Sequence, residues 1–214
     1  MRAVIFANGD LQDRELARSA LQPGDCIIAA DGGGRHCLTL GVKPAVVIGD
    51  FDSLTQEELQ QFKEQGAEIV GHPARKNETD LELALLYAVE RGAGEILVLG
   101  ALGSRLDMSL SNFLLTAHEQ LRHHKISFLA GKQRIYPIYS QAWVEGQPGD
   151  VVSLLPIGGD VSGVTTKGLE YPLKDETLGF GTTRGISNVL LGNAVTVTIR
   201  AGILLCIVIA QPVD

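Results

Sequence analysis

Short apolar runs alternate with longer amphipathic stretches from residue 1 to residue 131. This alternation is typical of parallel strands that crossover helices bury on both faces. It predicts an α/β fold, with a doubly wound, mostly parallel sheet that carries helices on both faces. The predicted strands are residues 3–7, 26–30, 45–48, 67–70, 95–99 and 126–130.

Three of the stretches between these strands carry helix signals. Two of them begin with the Ser/Thr-x-x-Glu spacing of a capping box, in which side chains and backbone amides bond reciprocally. These are Thr55 with Glu58 and Thr79 with Glu82, and the second pair places Asp80 at the first helical position. Apolar residues at helical spacing predict the third helix, and they are Leu110, Phe113, Leu114, Ala117 and Leu121.

After residue 131 the pattern changes to short β-rich runs separated by glycine, proline and aspartate. Within residues 194–200, threonine alternates with apolar residues, as it does in an antiparallel strand with one buried face. We therefore predict two domains, the α/β domain over residues 1–131 and a C-terminal all-β sandwich over residues 132–214. The clearest β runs are residues 151–155, 194–200 and 203–210.

Composition and charge narrow the functional class. The chain has 214 residues, of which 45% are hydrophobic and 20% charged, which is ordinary for a globular protein with a sizeable core. The formal net charge of −7 gives no basic footprint, so we expect no nucleic-acid partner and take a small molecule as the default ligand. The longest strongly apolar run, residues 203–210, is far shorter than the roughly 20 residues of a membrane span. Since the N-terminus has no signal-peptide pattern, we expect a cytoplasmic protein without a membrane partner.

The cysteines, histidines and aromatic residues give structural predictions. Cys26, Cys37 and Cys206 are an odd number without CxxC or zinc-ligand spacing, so we expect reduced thiols that mostly fill the core. The five histidines show no spacing typical of a catalytic triad or a metal site. Trp143 and Tyr171 are expected in the core of the second domain, with stacking on a planar heterocycle as the alternative.

Candidate chemistry follows the predicted strands directly, at the edge where open α/β sheets bind their ligands. Asp31 and three glycines follow the second strand, and Asp50 and Asp52 follow the third. In an extended backbone Asp50 and Asp52 would leave the same side, and such a carboxylate pair suits Mg²⁺ shared with substrate phosphates. The alternative is that these residues cap a turn and the next helix.

Four further candidates lie near the same edge. Asp80 is either a ligand of that metal or a favourable charge at a helix N-terminus. Lys76 either neutralises a phosphate in the same cleft or is a solvated loop lysine. Arg105 and Asp107, after the fifth strand, either pair with each other or divide between a phosphate and the nucleotide or metal site. The chain has neither GxxxxGK[ST] nor GxGxxG, which argues against ordinary P-loop kinases and dinucleotide dehydrogenases.

Several short motifs occur together in a specific order along the chain. They are Asp31-Gly32-Gly33, Gly49-Asp50-Phe51-Asp52-Ser53, Thr79-Asp80, Gly100-Ala101-Leu102-Gly103 with Arg105 and Asp107, Ser109-Leu110-Ser111-Asn112, residues 166–173, and Gly185-Ile186-Ser187-Asn188. Each motif is weak alone, but their order and spacing over nearly the whole chain resemble the thiamine pyrophosphokinase (thiamine diphosphokinase) family. Three positions depart from the common family pattern, since Met108 replaces a usual His, Ser104 a usual Gly and Val189 a frequent Glu.

The resemblance implies an N-terminal α/β nucleotide-binding domain, a C-terminal β-sandwich that binds thiamine, and a homodimer with its active sites at the subunit interface. It implies Mg²⁺-dependent transfer of the terminal diphosphate of ATP to the hydroxyl of thiamine, giving thiamine diphosphate and AMP. Asp50, Asp52 and Asp80 would hold the metal, with Asp31 as a further catalytic carboxylate in the same cleft. The candidate substrate-binding residues are Lys76, Arg105, Asp107, Tyr171, Ser187 and Asn188.

Two other functions stay open at this point, because the carboxylate cluster does not identify the acceptor. One is the same reaction on a different heterocyclic alcohol, such as a hydroxymethylpterin. The other is a non-catalytic thiamine- or nucleotide-binding homologue, which the departures at Met108, Ser104 and Val189 favour. Since the carboxylates remain, these departures bear on affinity and nucleotide choice more than on the type of reaction.

Overall fold

In this computed structural model, which describes residues 1–122 and 124–212, the chain forms two compact units. The first unit is Met1–Gly131, and the second begins at Lys132. The predicted second domain extends to residue 214, two residues beyond the described part of the chain. Among the described helices, none is long and apolar enough to cross a membrane.

The first unit contains a parallel sheet, as predicted. Its described strands are β1 (Arg2–Phe6), β2 (Cys26–Ala30), β3 (Val46–Gly49), β4 (Glu68–Gly71), β5 (Glu95–Leu99) and β6 (Lys125–Ala130). They lie in the order β6-β5-β1-β2-β3-β4, and every neighbouring pair is parallel. Each strand boundary lies within one residue of the prediction, because buried strands of this kind are apolar along most of their length.

Helices cover both faces of this sheet. They are α1 (Arg14–Ser19), α2 (Gly34–Leu40), α3 (Gln56–Glu64), α4 (Asp80–Glu90) and α5 (Leu106–Leu114). Val4 and Phe6, on one face of β1, belong to an apolar core that includes residues of α1, α2 and α3. Ala3 and Ile5 point to the other face, because side chains alternate along a strand, and they are equally buried. Since α4 packs against β1, β2 and β3, the doubly wound arrangement is confirmed.

The two predicted capping boxes form to different extents. At α3, Thr55 Oγ1 accepts from the Glu58 amide and the Glu58 carboxylate accepts from the Thr55 amide, so the box is complete. At α4, Thr79 Oγ1 accepts from the Glu82 amide at 3.2 Å, while the Glu82 carboxylate lies 4.0 Å from the His118 ring. The Thr79 cap begins the helix one residue later, where an aspartate takes the first helical position as predicted.

The third predicted helix forms with different bounds, and its leucines lie at the surface. α5 ends at Leu114 and passes into a short 3₁₀ turn, so the predicted helix is too long. Leu106, Leu110 and Leu114 are 70%, 56% and 54% exposed, whereas Ser109 and Asn112 are the buried positions. The leucines whose spacing predicts this helix therefore form an exposed stripe, and polar residues occupy its buried face.

The second unit contains two antiparallel sheets. Its strands are β7 (Gln133–Ile138), β8 (Gln141–Glu145), β9 (Val151–Pro156), β10 (Val161–Lys167), β11 (Glu176–Leu178), β12 (Asn188–Val189), β13 (Ala194–Thr198) and β14 (Leu204–Ile209). β12, β9, β14 and β7 are neighbours in that order, and β11, β10, β13 and β8 form the other sheet. Val195 and Val197 of β13 are fully buried while Thr196 and Thr198 are half-buried, as the alternation predicts. Both sheets contribute to one apolar core, so the all-β sandwich is confirmed.

Two aromatic residues that were expected in this core lie at the surface. Trp143 is 70% exposed and Tyr171 is 59% exposed. Along β8 the buried residue is Val144, so the neighbouring Trp143 side chain points to the opposite face of the sheet. The prediction that these two aromatic side chains fill the core is wrong.

The cysteines are free thiols that differ in burial. Burial raises the pKa of Cys37 and of Cys206 to about 12, and it also raises the pKa of the half-buried Cys26. Because the thiolate is the reactive form, we expect a thiol reagent at about pH 8 to leave Cys37 and Cys206 unlabelled in the folded chain. In denaturant all the thiols should react. Rapid labelling of either buried thiol without denaturant would contradict this packing.

Candidate active site

The strand order changes direction beside β1, with β2 on one side and β5 on the other. Doubly wound sheets bind their ligands at the carboxyl edge of such a switch point. A cavity of about 420 Å³ opens there, lined by residues at or just after the ends of β1, β2, β3 and β5, by the first turn of α4 and by one side of α5. The sequence-predicted residues that line this cavity are Asp31, Asp52, Asp80 and Arg105.

Three carboxylates at this edge lie close enough to share one cation. Asp31, Asp50 and Asp80 each offer an oxygen, and these oxygens lie within 4.8 Å of one another. Asp31 is only 4% exposed, and its Oδ1 is buried without a hydrogen-bond partner in the described chain. A buried carboxylate oxygen is costly unless a ligand satisfies it. Hard oxygen donors in this arrangement fit a divalent cation such as Mg²⁺ or Mn²⁺.

The local backbone places Asp31 in this carboxylate cluster. Asp31 follows β2 directly and opens a 3₁₀ turn with a φ of 44°, a left-handed conformation that aspartate tolerates better than most residues. The turn continues through glycines, and a Cβ at Gly33 would lie 2.0 Å from the Phe6 carbonyl oxygen. The absence of a side chain at Gly33 therefore lets the turn lie against β1 and keeps Asp31 at the cluster.

The segment after β3 is not extended, so Asp50 and Asp52 do not leave one side of a strand. Phe51 between them has a φ of 63°, which is rare for a bulky residue and costs roughly 1–3 kcal/mol. Its ring packs against the apolar core of the first unit, which offsets that cost. Asp50 joins the cluster and also accepts from the Asp52 amide at 3.2 Å, so it caps a turn as well. Asp52 lines the cavity outside the cluster, and its role as a metal ligand stays a prediction.

Lys76 lies between two of the clustered carboxylates. Its Nζ is 2.9 Å from Asp80 Oδ1 and 3.3 Å from Asp50 Oδ2, and its side chain is 10% exposed. The alternative of a solvated loop lysine therefore does not describe this residue. Burial opposes the charge on Lys76, but hydrogen bonds and charges from Asp80 and Asp50 outweigh burial and raise its pKa. The ammonium thus stays charged at neutral pH.

The same contacts shift the pKa values of two carboxylates in opposite directions. The hydrogen bond from the Asp52 amide, with help from Lys76, holds the pKa of Asp50 below its ordinary value although burial opposes this. Burial, reinforced by the charges of Asp31 and Asp50, raises the pKa of Asp80 in spite of Lys76. With no cation on the cluster, Asp80 therefore keeps a proton to higher pH than Asp50 does.

Arg105 and Asp107 pair with each other in this structure. Arg105 Nη2 lies 2.5 Å from Asp107 Oδ2, and the two side chains are largely exposed, at 71% and 65%. A pair in this much solvent contributes little to stability, so another anion can replace the carboxylate. Arg105 also lines the cavity. A phosphate group bound there can therefore replace the Asp107 carboxylate as the partner of the Arg105 guanidinium.

Asn8 and Gly9 line the cavity but lie outside the sequence predictions. The Asn8 side chain donates to Ser53 Oγ at 3.2 Å, and a Cβ at Gly9 would lie 2.3 Å from the Leu102 carbonyl oxygen. Both residues come soon after β1, just as Asp31 follows β2. Their place after an apolar run is therefore the signal by which they can be found.

Asn112 and Ser109 hold the loop after β5 against α5. Asn112 Nδ2 donates to the Ala101 carbonyl at 2.7 Å, and the Gly103 amide donates to Ser109 Oγ at 3.1 Å. Both side chains are buried and line the cavity. In the sequence, Ser109 and Asn112 can be recognised as polar residues that lie among the regularly spaced apolar residues of a predicted helix.

The residues predicted to bind thiamine come together within the second unit. Asn188 Nδ2 donates to the Tyr171 carbonyl at 2.7 Å, and the Tyr171 amide donates to Asn188 Oδ1 at 3.0 Å. The next amide towards the N-terminus, that of Ser187, donates to Ser153 Oγ at 3.1 Å. The Asn188 side chain thus ties the start of β12 to the loop that carries Tyr171, and the Tyr171 ring stays exposed. Contact of these residues with a substrate stays a prediction.

Known proteins match both units of the chain. The family profile described as thiamin pyrophosphokinase, catalytic domain, matches residues 17–128. The profile described as thiamin pyrophosphokinase, vitamin B1 binding domain, matches residues 142–204. Thiamine pyrophosphokinase of Bacillus subtilis (strain 168) is 30% identical over 182 residues, which cover 84% of this chain and 85% of that protein.

Solved structures give the same result. The crystal structure of thiamine pyrophosphokinase from Bacillus subtilis has a TM-score of 0.88 at 26% identity, covering 99% of this chain and 100% of that chain. The crystal structure of thiamin pyrophosphokinase from Geobacillus thermodenitrificans has a TM-score of 0.85 at 28% identity, covering 99% and 98%. Two family profiles across both units and a relative with 30% identity show that the chain belongs to the thiamine pyrophosphokinase family.

Proposed function

We propose that the chain transfers the terminal diphosphate of ATP to the hydroxyl of thiamine, giving thiamine diphosphate and AMP. The observation that carries this proposal is the cluster of Asp31, Asp50 and Asp80, with Lys76, beside the switch-point cavity of a chain from this family. A cytoplasmic location belongs to the proposal, since ATP is the co-substrate and the cysteines are free thiols.

We assign the metal of this reaction as Mg²⁺, held by Asp31, Asp50 and Asp80, with Asp52 as a further ligand from the cavity wall. The unpaired Asp31 Oδ1 and the short separation of the three carboxylate oxygens support this assignment. When bound, the metal would neutralise charge on the ATP phosphates and orient them for in-line attack. This set adds Asp31 to the ligands predicted from the sequence.

Diphosphate transfer needs positioning and charge neutralisation more than covalent chemistry from the protein. The hydroxyl oxygen of thiamine attacks the β-phosphorus, the bond from that phosphorus to the oxygen bridging to the α-phosphate breaks, and AMP leaves with that oxygen. Lys76 and Arg105 supply positive charge to the phosphates, and Asp107 releases Arg105 for that contact. We assign Asp80 as the acceptor of the hydroxyl proton, because it lines the cavity in the first turn of α4.

The second unit supplies the thiamine side of the reaction in this proposal. The exposed Tyr171 ring offers an aromatic face, and thiamine carries a positive charge that such a face binds. Ser187 offers a hydroxyl next to Asn188, whose side chain positions the Tyr171 backbone. Asn188 therefore supports the site through Tyr171 and need not contact thiamine itself.

The exposed leucines of α5 support a homodimer. Leu106, Leu110 and Leu114 stand four residues apart, so they form one apolar stripe on the helix, and each is more than half exposed. A contiguous apolar stripe on a protein surface is typical of an interaction site. We assign a second copy of the chain as its partner, since α5 begins at the cavity and the family resemblance implies active sites at a subunit interface.

Glutamate at two of these leucines is expected to convert the dimer to a monomer. Leu110→Glu combined with Leu114→Glu places two charges in the stripe, and sedimentation velocity at micromolar concentration reports the mass. Leu191→Glu is the control, because Leu191 is similarly exposed, at 62%, but lies in the second unit. A monomeric wild-type chain, or a double variant that stays dimeric, would contradict this assignment.

The proposed reaction is tested by supplying the purified chain with ATP, Mg²⁺ and one acceptor at a time. Thiamine, a hydroxymethylpterin and no acceptor are compared, and AMP and the diphosphorylated product are quantified. We expect AMP in equal amount to thiamine diphosphate, and only with thiamine. AMP with the pterin alone would indicate a diphosphotransferase for another alcohol, and no AMP with any acceptor would indicate a binding protein.

A further inference from the structure

One ammonium and three carboxylates share a small volume at the carboxyl edge of the sheet. The oxygens of Asp31, Asp50 and Asp80 lie within 4.8 Å of one another. Lys76 Nζ contacts two of these residues, at 2.9 Å from Asp80 and 3.3 Å from Asp50. Asp31 Oδ1 is buried without a hydrogen-bond partner in the described residues. The single positive charge of Lys76 therefore leaves the three negative charges only partly compensated.

A divalent cation on this cluster competes with the Lys76 ammonium. Mg²⁺ binds carboxylate oxygens at about 2.0–2.1 Å, so an ion shared by Asp50 and Asp80 lies closer to these carboxylates than Lys76 does. Two cations beside one pair of carboxylates repel each other, and a half-buried site screens that repulsion less than water does. Lys76 must therefore loosen its ion pairs when the cluster binds a divalent cation.

A phosphate group gives the displaced ammonium a new partner. Lys76 lies on the connection between β4 and α4, and its flexible four-carbon stem lets the ammonium move while Asp80 stays in the first turn of α4. The cavity beside Asp80 and Arg105 is the place for phosphates in the proposed function. When a divalent cation binds alone, Lys76 loses its ion pairs and gains no new partner. When a phosphate binds as well, it forms a new ion pair with Lys76.

We propose that Lys76 is an exchangeable counter-ion. When the divalent cation binds, the Lys76 ammonium moves away from Asp50 and Asp80 and pairs with the nucleotide phosphates instead. Lys76 thereby makes the binding of metal and nucleotide cooperative. By thermodynamic reciprocity, each of the two ligands strengthens the binding of the other by the same factor. This inference rests on the proposed function for the identity of the two ligands.

The test measures binding alone, with Mn²⁺ as the metal probe. The nucleotide probe is an ATP analogue with a methylene bridge between the α- and β-phosphates, which cannot be cleaved there. Because the analogue itself binds Mn²⁺ in solution, equilibrium dialysis with radioactive Mn²⁺ is used, with the analogue present on both sides of the membrane or absent from both. The excess of Mn²⁺ on the protein side measures the metal that the chain holds. Lys76→Met is expected to bind Mn²⁺ alone roughly ten-fold more tightly than wild type, because no ammonium competes, and to gain less from the analogue than wild type does.

Three further variants make the comparison specific. Lys76→Gln removes the same charge with a polar side chain, so the test does not depend on one variant folding. Lys76→Arg keeps the charge and is expected to bind Mn²⁺ alone no more tightly than wild type. Lys63→Met removes an exposed lysine of α3 and is expected to match wild type, which controls for net charge.

The proposal is overturned if neutral variants at Lys76 bind Mn²⁺ alone no more tightly than wild type. An equal gain from the analogue in wild type and in Lys76→Met overturns it too, as does a wild-type chain that binds no Mn²⁺ in either condition. Neither thiamine nor turnover enters these measurements. A chain that shows the exchange but forms no thiamine diphosphate therefore refutes the proposed function alone, and a chain that forms the product without the exchange refutes only the role of Lys76.

Discussion

Replacing Asp80 with asparagine is expected to lower kcat for thiamine diphosphate formation by roughly 10²–10³-fold while the chain stays folded. Asp80 belongs to the carboxylate cluster, lies 2.9 Å from Lys76 and has a raised pKa. The substitution therefore removes a ligand of the proposed metal and the proposed proton acceptor together. Thr79 still caps the helix, so the local backbone has no reason to change.

The same substitution is not expected to lower the melting temperature near neutral pH. Because burial and the neighbouring carboxylates raise the pKa of Asp80 in the folded chain, ionising this group lowers the free energy of unfolding. This loss of stability is absent below the ordinary pKa of aspartate and is complete once the pH exceeds the raised value. Asparagine carries no charge at any pH, so the variant does not suffer this loss of stability. A fall in activity without a fall in melting temperature therefore does not result from unfolding.

Glu90→Gln is the matched control for Asp80→Asn. It removes one carboxylate from the exposed last residue of the same helix, far from the cluster along the chain. Steady-state kinetics at saturating ATP and thiamine, with thermal melts of both variants, give the comparison. Wild-type kcat and unchanged Mg²⁺ dependence in Asp80→Asn would remove Asp80 from the metal site.

Gly33→Ala is expected to destabilise the chain by about 3 kcal/mol or more and to abolish activity in the fraction that still folds. A Cβ at Gly33 would lie 2.0 Å from the carbonyl oxygen and 2.6 Å from the carbonyl carbon of Phe6, a fully buried residue of β1. Backbone atoms cannot rotate aside as a flexible side chain can. The 3₁₀ turn that carries Asp31 must therefore move, so stability and site geometry are lost together.

Gly94→Ala provides the control for this substitution. A Cβ at Gly94 meets nothing within 4 Å, and its backbone is not left-handed. We expect the free energy of unfolding to change by less than about 1 kcal/mol. Urea unfolding of both variants at one temperature gives the two values. A Gly33→Ala chain as stable as wild type would show that the turn does not pack against β1 as described.

The sheet and the helix starts are predictable because they depend on neighbours in the sequence. Strands buried on both faces must be apolar along nearly their whole length, and residues 95–99 show this plainly. The caps at Thr55 and Thr79 depend on residues three positions apart, so the spacing alone indicates them. The alternation in residues 194–200 likewise predicts which face of β13 is buried.

The loop after β3 depends on a contact that spacing does not reveal. Whether Asp50 and Asp52 share a side is decided by the backbone of Phe51, and a φ of 63° at a bulky residue is too rare to predict from local sequence. Packing of the Phe51 ring against the apolar core of the first unit stabilises that conformation. Tertiary packing therefore decides that the third carboxylate of the cluster is Asp31 and not the predicted Asp52.

The face of α5 shows a second limit of sequence patterns. Helical spacing correctly identifies Leu110 and Leu114 as one apolar stripe, but it does not say what covers the stripe. Within one chain these leucines are exposed, because the buried face instead carries Ser109 and Asn112, which bond the loop after β5. The same pattern therefore suits an interface between chains as well as it suits a core.

The position of bond cleavage in ATP tests the central claim most directly. ATP labelled with ³²P at the β-position is supplied with thiamine and Mg²⁺, and the labelled products are separated. Diphosphate transfer predicts that the label appears in thiamine diphosphate and that the AMP is unlabelled. Label retained in ADP beside an unlabelled thiamine monophosphate would place the attack on the γ-phosphorus and would contradict the account.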